Sequence, residues 1–176
     1  MMEKKIVITG APGTGKTSII NHLKKLGHSC SNEISREIIT EQIAAGGEVL
    51  PWKNLEAFSQ AVFSLRKAQY INAPTDTMHF FDRGLLDVIA YMKVDDLAIS
   101  KNYKEDCEKY NYNAMVFYTP IWKEIYQIDT HRKEDIKSAI AIEKSILETY
   151  KLFGYTPMSI PKLSIEKRVD FILSTI

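Results

Sequence analysis

Lys16 and Thr17 close the stretch GAPGTGKT, which runs from Gly10 to Thr17 and fits the pattern G-x-x-x-x-G-K-[ST]. The residue types follow from what a phosphate chain demands. Gly13 and Gly15 let the backbone turn sharply, so successive N–H groups point inward at phosphate oxygens. Lys16 adds a mobile point charge for β- and γ-phosphates, and the Thr17 hydroxyl is a natural Mg²⁺ ligand. The expected nucleotide-binding stretch is therefore Gly10, Ala11, Pro12, Gly13, Thr14, Gly15, Lys16, Thr17 and Ser18. Average composition produces this pattern by chance in under about 1% of chains this long. The flanks sharpen it: KKIVITG (Lys4 to Gly10) is an apolar, β-branched run, and TSIINHLKKL (Thr17 to Leu26) carries Ile19, Ile20, Leu23 and Leu26 at helical spacing. Strand, loop, helix is the context that separates the motif from a glycine-rich turn without a ligand. It also puts the positive end of a helix dipole behind the anion.

Further charged residues stand where strands end. Asp82 closes the apolar run Met78 to Phe81 and is expected to hold Mg²⁺ near Thr17, directly or through water; capping the next helix is the competing role. Arg83 follows at once. A cation there cannot be a general base, but it can hold a phosphoryl group or a substrate anion. Glu33 ends the second strand and could anchor a substrate hydroxyl or accept its proton, with Arg36 one turn on as a clamp for the same substrate. Glu37 has a weaker claim, since acids at helix starts are common for dipole reasons. Arg132, flanked by His131 and Lys133, lies in the charged loop Gln127 to Asp135, where a lid would bring positive charge to a γ-phosphate. A solvated charge run is the plain alternative. Trp52 after Pro51 could stack on a planar substrate or simply pack. The catalytic candidates are thus Lys16, Glu33, Arg83 and Arg132; the substrate-binding ones are Glu33, Arg36, Trp52 and Arg83; the metal ligands are Thr17 and Asp82.

These residues need a scaffold, and the hydrophobic pattern supplies one. A second strand is expected over His28 to Glu33, then a helix from Ser35, its expected N-cap, to Ala45 with Ile38, Ile39, Gln42 and Ile43 in phase. A longer helix runs from about Asn54 to Asn72 with Leu55, Phe58, Val62 and Leu65 as its stripe. Strands are expected at Thr77 to Asp82, Ala114 to Pro120 and Tyr155 to Pro161. Helices are expected at Leu85 to Val94, within Asp95 to Asn113, to about Phe153 with Ile136, Ile140, Ile146, Leu147 and Tyr150 inward, and from Ser164 to Ile176. Gly27 and Gly154 are the expected stops of their helices. Strands alternating with helices imply an α/β fold, a three-layer, doubly wound, parallel five-stranded sheet. Ligands in such sheets lie beyond the carboxyl ends of the strands, where these candidates sit.

Composition bounds the function. With 176 residues the chain is read as one domain, 1–176. Its 45% apolar and 26% charged residues are those of an ordinary globular protein. A net charge of +1, from 23 basic and 22 acidic residues, argues against a nucleic-acid partner or a membrane surface. No apolar run is long enough to suggest a membrane span, and since MMEKKIVITG leads straight into the first expected strand, no signal peptide is expected. Cys30 and Cys107 are isolated and expected to be reduced thiols, so a cytoplasmic location is expected. His22, His28, His79 and His131 show no metal-ligand spacing.

With those residues in place, the chain resembles a small family of P-loop ATPase/kinase-like domains of AAA type, similar to the ribosylnicotinamide kinase domain of NAD-biosynthesis regulators. The resemblance rests on GAPGTGKT, E-I-S-R-E-I-I (Glu33 to Ile39), L-P-W (Leu50 to Trp52), F-F-D-R-G-L-L-D (Phe80 to Asp87), the Arg132 loop and S-I-E-K-R-V-D-F-I. It implies ATP or GTP bound with Mg²⁺ and a nucleoside/nucleotide-kinase-like fold, but no particular substrate. A small-molecule kinase phosphorylating a nucleoside-like or other hydroxyl acceptor is the first functional expectation. A nucleotide-dependent switch or slow ATPase acting on a protein partner is the second. No N-K-x-D motif points to a Ras-like GTPase, and the chain is too short to add the helical lid domain of a ring-forming ATPase.

Overall fold

The computed structural model describes residues 4–122 and 136–176. The expected lid segment about 127–135, with Arg132, lies outside the described residues. The element order is β1 (Lys5–Thr9), α1 (Lys16–Lys25), β2 (Ser29–Ser31), α2 (Ile34–Ala44), α3 (Leu55–Asn72), β3 (His79–Asp82), α4 (Leu85–Val94), α5 (Lys101–Lys109), β4 (Met115–Tyr118), α6 (Ile136–Leu152), β5 (Thr156–Ser159) and α7 (Ile165–Thr175).

The five strands form one parallel sheet in the order β2-β3-β1-β4-β5. Strand β1 is central because its β-branched run can be buried on both faces. Its alternate residues supply both layers of core. Val7 joins Phe81 and Val116 under α2 to α6, while Ile6 and Ile8 join Phe80 and Phe117 under α1 and α7. The two layers of helix around one sheet make the three-layer arrangement. Burying each of these large side chains stabilises the fold by roughly 1.5–3 kcal/mol over leaving it exposed.

Helix ends follow ordinary rules. Gly27 and Gly154 have left-handed φ values of 87° and 83° and donate to Lys24 O and Lys151 O, closing α1 and α6. The Ser164 and Asn54 side chains accept from Lys167 N and Ala57 N and start α7 and α3.

Three helix readings need correction, all in phase or boundary. Helix α2 is capped by Glu33, whose carboxylate accepts from Ser35 N at 3.1 Å; Ser35 itself lies inside the helix. Ile43 is exposed, so the inward face of α2 is Ile34, Ile38 and Ile39. On α3 the stripe rotates: Leu65 is 46% exposed and the buried member is Arg66, at 4%. On α6 Ile140 faces out, and Ala139, Ile142, Ile146, Thr149 and Tyr150 face in. In the phase corrections neighbouring residues competed for the inner face of the helix, and only the facing element decides between them.

His79 pins β2 to the sheet. Its Nδ1 is 2.8 Å from Ser29 Oγ and its Nε2 is 2.7 Å from Ser31 Oγ, beside the ladder pairing Ser29 with His79. Burial, aided by the positive Lys5, holds the imidazole pKa down at about 4. The folded state therefore binds fewer protons than the unfolded state between about pH 6.5 and 4, so this contribution is complete above pH 6.5 and is lost as pH falls toward 4. The loss amounts to about 3 kcal/mol. Urea unfolding of the parent and of His79→Gln should give a stability difference that shrinks by this amount between pH 7 and pH 4; a difference independent of pH would contradict the neutral, doubly bonded ring.

Candidate active site

The segment between β1 and α1 wraps into a loop whose shape is set by close packing. Gly10 has φ 135°, and a Cβ there would lie 2.6 Å from Thr119 O, so the loop presses directly on the chain leaving β4. Thr14 Oγ1 donates to Ala11 O and meets Thr119 Oγ1 at 2.5 Å. Gly15, in the left-handed region at φ 87°, starts α1 with no side-chain cap and no acid in the first turn. The first N–H groups of α1 thus have no carboxylate to cap them, which is the arrangement an anion completes. Lys16 lies against the same loop, its Nζ donating to Gly10 O at 3.0 Å and Ala11 O at 2.7 Å. Burial, then the nearby Arg83, push its pKa down to about 7; a phosphate chain alongside would favour the charged form again.

Thr17 Oγ1 donates to Asp82 Oδ2 at 3.3 Å, and Asp82 Oδ1 is buried with no partner. Burial and the neighbouring Glu33 raise the Asp82 carboxyl to about 6. One hydroxyl and one carboxylate with an orphaned buried oxygen suit Mg²⁺, which takes few protein ligands and completes its shell with phosphate and water. Among the described residues no cluster of three or more His, Cys, Asp or Glu offers an all-protein metal cage.

Glu33 and Arg83 meet at the centre. Arg83 Nε donates to Glu33 Oε2 at 2.6 Å, and its Nη1 donates to Gly10 O at 2.9 Å and Asp87 Oδ1 at 3.1 Å. Its guanidinium also lies 5.3 Å from the Tyr91 ring centroid. Arg83 holds φ 75°, a left-handed backbone that costs a non-glycine residue about 1 kcal/mol or more. The bonds at its side chain offset that strain. The other Glu33 oxygen accepts from Arg66 Nη2 at 3.0 Å, while Arg66 Nη1 donates to Gly84 O at 3.1 Å. Burial works against the Glu33 charge, yet Arg83, Arg66 and Lys16 together hold its pKa at about 2. Asp87, fully buried, accepts from Thr9 Oγ1, Arg83 Nη1, Gly84 N and Tyr150 Oη. Lys16, Arg66 and Arg83 therefore face Glu33, Asp82 and Asp87, three charges against three, so the buried cluster is balanced.

A cavity of about 1020 Å³ opens over this cluster. That is the upper end of a single small-ligand site, enough for a nucleotide and a second molecule together. Its lining includes the phosphate loop with Trp122, Leu163 and Arg168, together with Arg36, Trp52, Phe58, Tyr91 and Asp95. Lys16, Thr17, Glu33, Arg36, Trp52 and Arg83 thus share one cavity, with Asp82 beneath it, whereas Arg132 lies outside the described residues. Glu33 pairs with Arg66 and Arg83, while Arg36, expected as a clamp for the same substrate, lines the cavity and makes no ion pair among the described residues.

Three buried residues had no role assigned from sequence: Arg66, Asp87 and Arg168. Two left a signal. Arg66 repeats the period of Phe58 and Val62, and Asp87 is the lone acid in the apolar run LLDVIA. A charge on a buried stripe has to be paired, and that requirement was readable.

The sheet order, the phosphate loop and the acid ending β3 define a phosphate-loop nucleotide-binding protein of kinase-like fold. A family model described as an AAA domain matches residues 5–168, and the chain belongs to that family. Among curated proteins, no significant sequence match is found. The structure of deoxyadenosine kinase from M. mycoides, with products dCMP and a flexible dCDP bound, superposes with a TM-score of 0.69 at 19% identity, covering 97% of each chain. NadR protein in complex with NR gives 0.68 at 15% identity over 98% of this chain and 50% of that one. Thymidylate kinase from Ehrlichia chaffeensis gives 0.61 at 11% identity over 98% of each. At these identities the likeness is one of fold.

Removing one guanidinium should expose the logic of the cluster. Arg66→Met should cost about 3–5 kcal/mol in urea unfolding, because it strands half of a buried carboxylate, and NMR titration should show the Glu33 pKa rising from about 2. Arg36→Met should change stability by less than about 1 kcal/mol.

Proposed function

We propose that this chain is a small-molecule kinase that binds Mg²⁺ with ATP or GTP on residues 10–18 and phosphorylates a nucleoside-like or other hydroxyl acceptor. The observation that carries the reading is Glu33, fixed through both oxygens by two arginines on the wall of a cavity it shares with the phosphate loop. The acceptor oxygen attacks the γ-phosphorus, a new P–O bond forms, the bond to the β-phosphate oxygen breaks and the nucleoside diphosphate leaves. The Mg²⁺, held by Thr17 and Asp82, would neutralise charge on the phosphates. Glu33 orients the hydroxyl by accepting its hydrogen bond. With a pKa of about 2 it is a weak base, so the proton leaves with the transferred phosphoryl group, in keeping with a loose transition state that needs little base catalysis.

The charge balance selects the acceptor. Arg66 and Arg83 are committed to Glu33 and Asp87, so they hold no second phosphate; the cavity arginines without an ion pair among the described residues are Arg36 and Arg168, and Arg168 is tied to the phosphate loop through Thr14 O. A neutral alcohol with a planar or apolar body suits the Trp52, Phe58 and Tyr91 wall better than a monophosphate does. Arg132 is assigned the role of closing charge over the γ-phosphate from its place in the sequence. The AAA-domain family supports a second reading, a nucleotide-dependent switch or slow ATPase working through a protein partner.

A thermal-shift panel separates these readings. With a non-hydrolysable nucleotide and Mg²⁺ present, a nucleoside or similar alcohol at 100 times its Kd should add about 2.7 kcal/mol, a rise in Tm of several degrees. Lys16→Ala should weaken nucleotide binding at least about tenfold, read by calorimetry. A broad acceptor panel giving neither stabilisation nor phosphorylation, with nucleotide still bound, would favour the switch.

A further inference from the structure

The cavity wall beside the phosphate loop carries a cation that the proposed chemistry does not use. Arg168, on α7, is 4% exposed, and no carboxylate pairs with it among the described residues. Its Nη2 donates to Thr14 O at 3.1 Å, which ties it to the loop itself, while its Nε is buried without any acceptor. A buried guanidinium with unused donors is costly unless something supplies acceptors. Its carbon lies 6.0 Å from the Trp122 ring centroid, and Leu163 and Ile165, both large and exposed, line the cavity beside it. An indole, two aliphatic side chains and a cation with free N–H groups, next to the loop expected to grip the phosphates, form a slot for a flat, acceptor-bearing ring.

We propose that Arg168 and Trp122 form the base subsite of the donor nucleotide, and that Arg168 makes the site prefer guanine over adenine. The proposal rests on a nucleoside triphosphate occupying the phosphate loop. The chemistry of the edges sets the direction. Guanine offers O6 and N7, two adjacent acceptors that a guanidinium reads together; adenine replaces O6 with an N6 amino donor that faces the same N–H groups with no acceptor. Trp122 supplies a face on which either base stacks, so it contributes affinity without choosing between them.

Calorimetry with Mg²⁺ and four probes tests this: GTP, ITP, ATP and inorganic tripolyphosphate, which has no base. The parent protein should bind GTP and ITP at least about fivefold more tightly than ATP, the two sharing O6 and N7. Arg168→Met should remove that preference, lowering GTP affinity by a larger factor than tripolyphosphate affinity. Arg168→Gln keeps a donor for Thr14 O and guards against loss of the fold; it should bind tripolyphosphate like the parent with the preference reduced. Trp122→Ala should weaken all three nucleotides but not tripolyphosphate. Equal or tighter binding of ATP by the parent, or a loss of tripolyphosphate affinity in Arg168→Gln matching the loss for GTP, would overturn the assignment. Failure of the parent to bind tripolyphosphate or any nucleotide would instead remove the phosphate-loop reading beneath it.

Discussion

One carboxylate shared by two guanidiniums holds the centre of this molecule together. Glu33 receives Arg66 on one oxygen and Arg83 on the other, at 3.0 and 2.6 Å. Each partner comes from a different element: Glu33 caps α2, Arg66 projects from α3, and Arg83 follows β3. Removing any of the three would leave a charge in the interior that water no longer solvates, which costs far more than the pair contributes net. The cluster therefore acts as a lock on geometry. It fixes where the end of β2 stands relative to the phosphate loop, through Arg83 Nη1 on Gly10 O.

The same network explains the unusual backbone after β3. Arg83 has a left-handed φ of 75°, and the next residue must be small, since a Cβ at Gly84 would meet Tyr150 Oη at 2.7 Å. Strain of this kind persists only where surroundings over-determine it. Here Asp87 does so, by accepting at once from the Gly84 N–H, the Arg83 guanidinium and the Tyr150 hydroxyl. The phosphate loop, the acid on β3 and the cation behind it are thereby one rigid unit. Trp52, Arg36 and Asp95 also line the cavity.

Much of this was legible in the chain. The loop motif needs no tertiary information, because its spacing is a property of consecutive residues. The strands were readable because a parallel sheet buried on both faces demands continuous β-branched and aromatic runs such as KKIVITG and TMHFFD. Glu33, Asp82 and Arg83 stood out because each ends such a run. What escaped was pairing across the fold. Arg36 is three residues from Glu33 and looks like its partner, yet Arg66 and Arg83, 33 and 50 residues away, take the carboxylate. Leu65 outbid Arg66 for the inner face of α3 on hydrophobicity alone, and lost because a carboxylate waits there.

The amino-acid order alone therefore determined the phosphate loop, the alternation of strands and helices, and the acids and cations that end the strands, since all of these are local in the chain. Only the folded arrangement decided which cation answers which acid, that Glu33 caps its own helix while bridging two arginines, and that Arg168 stands beside the loop with no carboxylate partner among the described residues. The physical reason is range. Propensity and periodicity act over a few residues, whereas the desolvation of a charge depends on every element that closes over it.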